Sequence, residues 1–372
     1  MKNFEAFFHQ YDFENLLARI SSASSADVTS ALHNNSGTFS LEEAGLLLSP
    51  AAGNELETMA VLAQRETLHK FGKTVLLYIP LYLSNICVNA CRYCGFSSRT
   101  EGYTLSMDQI RREAQSIYKK GFRHILLVAG DNPAREFQEL LLETVQYLRP
   151  RFSSISLEIA PQTFQDYCKL VKAGVDGLTL YQETYHLPTY QQMHLSGPKA
   201  DYSERLASVE YAADAGIRRI NLGSLLGLYD WRYELLALYL HYKYLQKKYW
   251  HVFYSLSFPR LREMGQDFSI PHPVSDKELV QMILAARILM PEIGLVLSTR
   301  ESPWLRDHLV GLGITQMSAG SSTQPGGYTS ETENQQKQFE IADNRTVEEV
   351  IDMIRKKGYD PVWKDWEEIC YG

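Results

Sequence analysis

Three cysteines, Cys87, Cys91 and Cys94, stand in C-x3-C-x2-C spacing inside the stretch Leu81-Tyr-Leu-Ser-Asn-Ile-Cys-Val-Asn-Ala-Cys-Arg-Tyr-Cys-Gly-Phe96. Closely spaced thiolates are soft ligands that suit iron–sulfur or zinc. A four-iron cluster takes four ligands and this loop supplies three. One iron is then open to a small molecule. The competing reading is a zinc site that draws its fourth ligand from elsewhere. Structural zinc sites usually add a second Cys or Cys/His pair at short spacing. His69 and His124 flank the loop without forming such a pair, and Cys168 and Cys370 are isolated. The spacing favours the cluster and leaves zinc as the alternative.

Such thiols must be presented by a strand. Directly before them, Val75-Leu-Leu-Tyr-Ile-Pro-Leu-Tyr-Leu83 is an apolar run, so the loop leaves a strand's C-terminal end. Further runs follow at His124–Gly130, Ile155–Ala160, Gly177–Tyr181, Arg219–Gly223, Val252–Phe258, Gly294–Thr299 and Ile314–Ala319. Helix-period stretches alternate with them at 106–120, 164–173, 201–215, 233–248, 276–290 and 346–357. Ser106-Met-Asp-Gln109 opens the first as a capping box. Gly121, Gly174, Gly216 and Gly358 stand where left-handed C-caps are expected. This alternation predicts an α/β fold, a (β/α)8 TIM-type barrel over residues 73–358, in preference to a doubly wound sheet. Residues 1–72 read as an N-terminal helical extension, with a capping box at Ser40-Leu-Glu-Glu43 and a longer helix over Glu55–Phe71. Residues 359–372 read as a short C-terminal tail.

Barrel enzymes place their sites at the C-terminal ends of the strands. Those ends carry Gly130 and Asp131, Glu158, Gln182-Glu-Thr184, Ser224, Arg260, Ser298 with Arg300, and Ser318. Polar groups at nearly every end predict one site at that mouth.

The chain has 372 residues, 45% hydrophobic, enough for a large core. Its net charge of -7, without a basic run, gives no footprint for nucleic acid. No apolar segment approaches the roughly 20 residues of a membrane span, and the first residues carry no apolar signal core. A cytoplasmic protein is expected. The odd cysteine count with one dense group fits a reducing compartment.

Beyond the cysteine loop, several motifs stand together: Tyr181-Gln-Glu-Thr-Tyr-His186, His194 with Gly197-Pro-Lys-Ala-Asp-Tyr202, Gly223-Ser-Leu-Leu-Gly-Leu228, Ser257-Phe-Pro-Arg-Leu-Arg262 and Leu297-Ser-Thr-Arg-Glu301. With them the chain resembles the tyrosine lyases of the radical S-adenosylmethionine superfamily, from about residue 15 onward. Tyr93, before the last cysteine, also matches that superfamily's loop. The tyrosine lyases include a thiamine-biosynthesis branch and a hydrogenase-maturation branch. The latter carries a C-terminal extension with clustered cysteines. Here the corresponding region offers only Cys370, and Pro361-Val-Trp-Lys-Asp-Trp366 resembles the thiamine branch.

The resemblance implies a [4Fe-4S] cluster and S-adenosyl-L-methionine as cofactors. It implies a 5′-deoxyadenosyl radical that takes hydrogen from the amino group of L-tyrosine. The Cα–Cβ bond then breaks to give 2-iminoacetate (dehydroglycine) and p-cresol, for the thiazole of thiamine. The cofactor carries the hard chemistry, so no side chain is assigned as catalytic. A one-electron donor such as a flavodoxin and a thiazole synthase are the implied partners. The resemblance assigns the cluster to Cys87, Cys91 and Cys94. It assigns S-adenosylmethionine to Gly130, Asp131 (one methylene shorter than the family's glutamate), Glu158, Glu183 and Arg205. The bland alternative for Arg205 is a solvated helix charge. For the tyrosine carboxylate the expectation is Arg300 with Ser298, on one face of the seventh strand by period two. Arg260 and Ser318 are second choices, and the alternative for Arg300 is an ion pair with Glu301. The alternative functions are a related aromatic amino-acid lyase, of the hydrogenase-maturation type or acting on tryptophan, and a zinc-stabilised barrel that binds a partner without catalysis.

Overall fold

The computed structural model describes residues 3–33, 38–98, 102–262, 268–329 and 337–364. Cys370 and Trp366 lie outside them. Eight parallel strands close on themselves: β1 (Thr74–Ser84), β2 (His124–Ala129), β3 (Ser154–Glu158), β4 (Gly177–Glu183), β5 (Arg219–Ser224), β6 (Phe253–Ser257), β7 (Gly294–Leu297) and β8 (Gln316–Ser318). Each pairs with the next, and β1 pairs with both β8 and β2. This is the (β/α)8 barrel, with its helices outside.

The alternation of side chains along β1 shows why the sequence folds this way. Val75, Leu77, Ile79, Leu81 and Leu83 belong to the core cluster that packs strands against helices. The intervening Tyr78 and Tyr82 join a separate cluster with Leu126 and Val128 of β2, Cys87, Cys94 and Phe96. One face of each strand thus meets the helices and the other meets the barrel interior.

A ninth strand, β9 (Asp360–Val362), lies in the stretch read as a tail and pairs in parallel with Thr74–Leu76 of β1. The long β1 starts below its other partners, so its first residues would otherwise present an unpaired edge.

The helices Met107–Lys119, Phe164–Ala173, Tyr202–Asp214, Trp231–Lys248, Asp276–Leu289 and Val347–Lys356 occupy the stretches expected of them. Three helices go beyond those the spacing predicts. Arg135–Leu148 has no side-chain N-cap to announce it. Leu187–Met193 and Pro303–Leu309, at 7 residues each, are too short to show a period.

The described residues between 3 and 71 form five α-helices, ending with Leu56–Phe71. They pack on Trp231–Lys248 and Asp276–Leu289. Phe4 stacks on His241 at 3.9 Å between ring centroids, and His241 bonds the Tyr185 hydroxyl at 2.7 Å. No helix among the described residues is long and apolar enough to cross a membrane.

Candidate active site

The cysteine loop leaves β1 and is pinned from several sides. Gly130 N–H donates to the Ser84 carbonyl at 3.1 Å and Val88 N–H to the Asp131 carbonyl at 3.0 Å. Ala90 N–H donates to the Ser196 carbonyl, and Leu195 N–H to that of Ala90. Two glycines permit this closeness. A Cβ on Gly130 would lie 2.3 Å from the Ile86 carbonyl oxygen, and one on Gly197 would lie 2.8 Å from Asn89 Cα. Gly197 also has φ 89, a conformation that favours glycine.

Cys87, Cys91 and Cys94 open onto one cavity, which Gly130, Asp131, Glu158, Glu183, Lys199 and Arg205 also line. Among the described residues no three His, Cys, Asp or Glu side chains converge as they would on a single ion. In a four-iron cluster each thiolate holds its own iron, so the thiols ring a space instead. Three thiols around a shared cavity, without a fourth converging ligand, fit that group better than a tetrahedral zinc. Phe96 N–H points at Cys94 Sγ (3.4 Å) and Asn89 Nδ2 at Cys87 Sγ (3.8 Å), contacts of the kind that tune a metal–thiolate bond. Burial pushes the Cys94 thiol up to about 12 and raises Cys91 as well. Loading metal onto these sulfurs therefore releases protons.

Glu183 ends β4 at a register shift and has φ 70, rare for a residue with a side chain. Such irregularities gather beside functional sites. Its Oε1 lies 2.6 Å from Lys199 Nζ and 3.5 Å from Arg205 Nη2. Burial raises Glu183, but Lys199 and Arg205 outweigh it and hold the carboxyl below its usual range. Arg205 is only 7% exposed and also donates from Nε to the Tyr181 carbonyl at 2.8 Å, so it is not a solvated helix charge. Asp131 accepts from Asn89 Nδ2 at 2.9 Å. His194 Nδ1 lies 2.8 Å from the Tyr190 carbonyl, which can only accept. Nε2 therefore accepts from the Tyr93 hydroxyl at 2.7 Å. Burial and then Lys199 push His194 down to about 3, so its ring is neutral.

A second cavity adjoins the first and shares Cys94, Glu158, Tyr181, Glu183, Lys199 and Gln338 with it. Its far wall holds Arg300 and Arg262. Arg300 stacks on Phe339 at 3.5 Å and has no carboxylate within 4.0 Å among the described residues. Its Nε–H is buried without a partner. Glu301 pairs with Arg260 and Arg262 instead of Arg300.

The other expected carboxylate ligands, Ser298, Arg260 and Ser318, are not among the residues that line this cavity. The strand β7 stops at Leu297, so Ser298 and Arg300 sit in the turn beyond it and period two does not apply. Ser298 Oγ accepts from Arg300 N–H at 3.3 Å. Arg260 is held by Glu301 and Asp276, and it is Arg262, two residues on, that lines the cavity. Ser318 Oγ accepts from Thr299 N–H at 3.1 Å and also bonds Tyr78. Lys199, Arg262, Gln338 and Phe339 were not singled out from the sequence. The motifs Gly197–Tyr202 and Ser257–Arg262 contained two of them, whereas nothing local marked Gln338 or Phe339.

The fold and the thiol-lined mouth define a radical S-adenosylmethionine barrel: residues 81–238 match the Radical SAM superfamily, and residues 257–360 match the Biotin and Thiamin Synthesis associated domain. Its cofactors are a [4Fe-4S] cluster and S-adenosylmethionine. The chain is 43% identical over 370 residues, 99% of its length and 97% of the relative's, to the 2-iminoacetate synthase of Salmonella typhimurium strain LT2. It is 42% identical over the same shares to that of Escherichia coli strain K12. A crystal structure of HydG, a maturase of the [FeFe]-hydrogenase, superposes with a TM-score of 0.88 at 33% identity, covering 94% of this chain and 79% of that one. The chain belongs to the 2-iminoacetate synthase family.

Proposed function

We propose that the protein is a carbon–carbon lyase that cleaves the Cα–Cβ bond of L-tyrosine to 2-iminoacetate and p-cresol, with 5′-deoxyadenosine and methionine formed. The observation that carries this reading is the near full-length likeness to 2-iminoacetate synthases. The product serves the thiazole moiety of thiamine.

Cys87, Cys91 and Cys94 would hold the cluster, which with S-adenosylmethionine would supply one-electron radical chemistry. The chain's own residues bind and orient. Gly130 and Asp131 border the methionine end: both line the thiol cavity, where Gly130 lets β2's end pack directly against Ile86 and Cys87. Glu183 and Arg205 form the charged wall of the same cavity. Arg300 takes the tyrosine carboxylate: a half-buried guanidinium with an unpartnered Nε–H and no anion, lining the adjoining cavity, supports that role. Arg262 borders the same wall. Phe339 and Leu261 form apolar parts of the wall against which an aromatic ring can pack.

Residues 1–72 act as a supporting extension, 73–358 as the catalytic barrel and 359–372 as a tail. The protein works in the cytoplasm with a one-electron donor such as a flavodoxin and passes its product to a thiazole synthase. The test is anaerobically reconstituted protein with dithionite, S-adenosylmethionine and L-tyrosine, assayed for 5′-deoxyadenosine, p-cresol and glyoxylate. All three should rise in step. Deoxyadenosine without p-cresol would move the substrate elsewhere.

A further inference from the structure

We propose that Glu158 is the base that accepts a proton from the substrate's α-ammonium group. This rests on the tyrosine-lyase reading. L-Tyrosine enters with three hydrogens on nitrogen, and the imine of 2-iminoacetate keeps one. One of the two leaves as a hydrogen atom. The other must leave as a proton: its N–H bond breaks, the electron pair stays on nitrogen, and the proton goes to a carboxylate oxygen. One negative and one positive group become two neutral groups, so no oxidant or reductant enters this step.

The site offers few places for that proton. Glu158, which the resemblance gives to S-adenosylmethionine, ends β3 and lines both cavities, between the thiol side and the Arg300 side, so it faces the substrate side as well. Among the described residues it is party to no hydrogen bond or ion pair that would occupy it. The other carboxylate on both cavities, Glu183, is engaged by Lys199 and Arg205. Asp131 lines only the thiol side and is tied to Asn89. The imidazole of His194 already takes the Tyr93 hydroxyl's hydrogen. Burial keeps Tyr78, Tyr82, Tyr93 and Tyr181 protonated.

The two shared glutamates are driven apart. Burial, reinforced by Glu183, lifts Glu158 to about 7, against the pull of Arg300, Lys199 and Arg205. Glu183 falls below its ordinary value. Carboxyls separated in this way divide into a fixed anion and a proton carrier, and a base is most effective with a pKa near the working pH.

The test compares wild type, Glu158→Gln and Glu158→Asp as reconstituted enzymes. The pH dependence of kcat/KM for tyrosine is measured as p-cresol release. Binding of L-tyrosine and of its des-amino analogue, 3-(4-hydroxyphenyl)propanoate, is measured without reductant. Wild type should show an acidic limb near neutrality. Glu158→Gln should lose on the order of 10²–10⁴-fold and the limb with it, while Glu158→Asp keeps the limb. Glu158→Gln should weaken tyrosine binding much more than analogue binding. Retained activity with an unchanged limb would overturn the proposal, as would equal weakening of both ligands, which marks a wall residue. If wild type makes deoxyadenosine but no p-cresol, the lyase reading fails and takes this proposal with it. If p-cresol forms equally with and without Glu158, only this proposal fails.

Discussion

Lys199 Nζ lies 2.6 Å from Glu183 Oε1, and this pair holds a carboxylate whose backbone stands at φ 70. Removing one partner of a buried pair leaves the other charge uncompensated, at about 3–5 kcal/mol. Arg205, 3.5 Å from the same oxygen, keeps a second cation in place, so the lower end applies. Lys199→Met is expected to lower the denaturation midpoint by an amount corresponding to about 3 kcal/mol. It should also weaken S-adenosylmethionine binding, read by equilibrium dialysis. An unchanged midpoint would show that the pair is not a support of the site.

Glu234 supports the same turn from behind. Its carboxylate accepts from the Thr184 hydroxyl at 2.5 Å and from Tyr185 N–H at 3.0 Å, directly after Glu183. Burial lifts its pKa to about 8. Its folded value thus exceeds the unfolded one, near 4.5. The folded state holds the proton while the unfolded state loses it. Stability is therefore fully present below about pH 4.5, falls as pH rises through the window up to about 8, and is flat beyond. The slope is at most about 1.4 kcal/mol per pH unit. Glu158 and the depressed His194 titrate in the same range, so the difference between wild type and Glu234→Gln is read in urea melts at a series of pH values, and it should fall across that window. A difference that does not change with pH there would refute the assignment.

Much of this architecture was legible locally. Runs such as Val75–Leu83 alternate residues between helix-facing and interior sides, and glycines such as Gly121 and Gly174 close helices with positive φ. The three thiols are legible because one loop holds them all. What was not legible depends on convergence. Phe339 meets Arg300 and Gln338 meets Tyr82 across long separations in sequence. Whether Arg260 or Arg262 faces the cavity is decided by Glu301 and Asp276, which capture Arg260. Whether Arg205 is solvated depends on how its helix lies on β4, where its Nε reaches the Tyr181 carbonyl.

Iron removal offers a direct check on the thiol loop. Backbone hydrogen bonds to Asp131, Ser196 and Gln338 hold the loop without metal. Chelated protein is expected to lose its visible absorption and all deoxyadenosine formation while keeping its far-UV circular dichroism. Cys94→Ala should reproduce the loss, and Cys168→Ser, remote from the cavity lining, should not. A colourless sample that binds zinc at these cysteines would restore the zinc alternative.

Gly130→Ala probes how close the chain comes to itself at the thiol side. The added methyl would meet the Ile86 carbonyl oxygen at 2.3 Å and Cys87 Cβ at 3.0 Å, so β2's end or the cysteine loop must move. The barrel core does not depend on this contact, so the variant should fold. Its S-adenosylmethionine affinity should drop by at least tenfold, a cost of about 1.4 kcal/mol. Calorimetric titration measures this directly, and an unchanged affinity would remove Gly130 from the cofactor wall.

Arg300 gives the sharpest separation between substrate and cofactor roles. It lines the second cavity and is absent from the lining of the thiol cavity. Arg300 is half-buried, with its Nε–H buried and unpartnered, its guanidinium stacked on Phe339 and no anion beside it among the described residues. A substrate carboxylate would satisfy it, and truncating a buried charged partner costs about 2–5 kcal/mol. Arg300→Ala should therefore cut kcat/KM for tyrosine by roughly 30- to 4,000-fold. Tyrosine-independent cleavage of S-adenosylmethionine should be little changed, because Arg300 does not line the thiol cavity. Arg300→Lys should recover only part, since an ammonium cannot present the paired donors of a guanidinium. Equal losses of both activities would place Arg300 with the cofactor and leave the tyrosine carboxylate to Arg262, on the same wall.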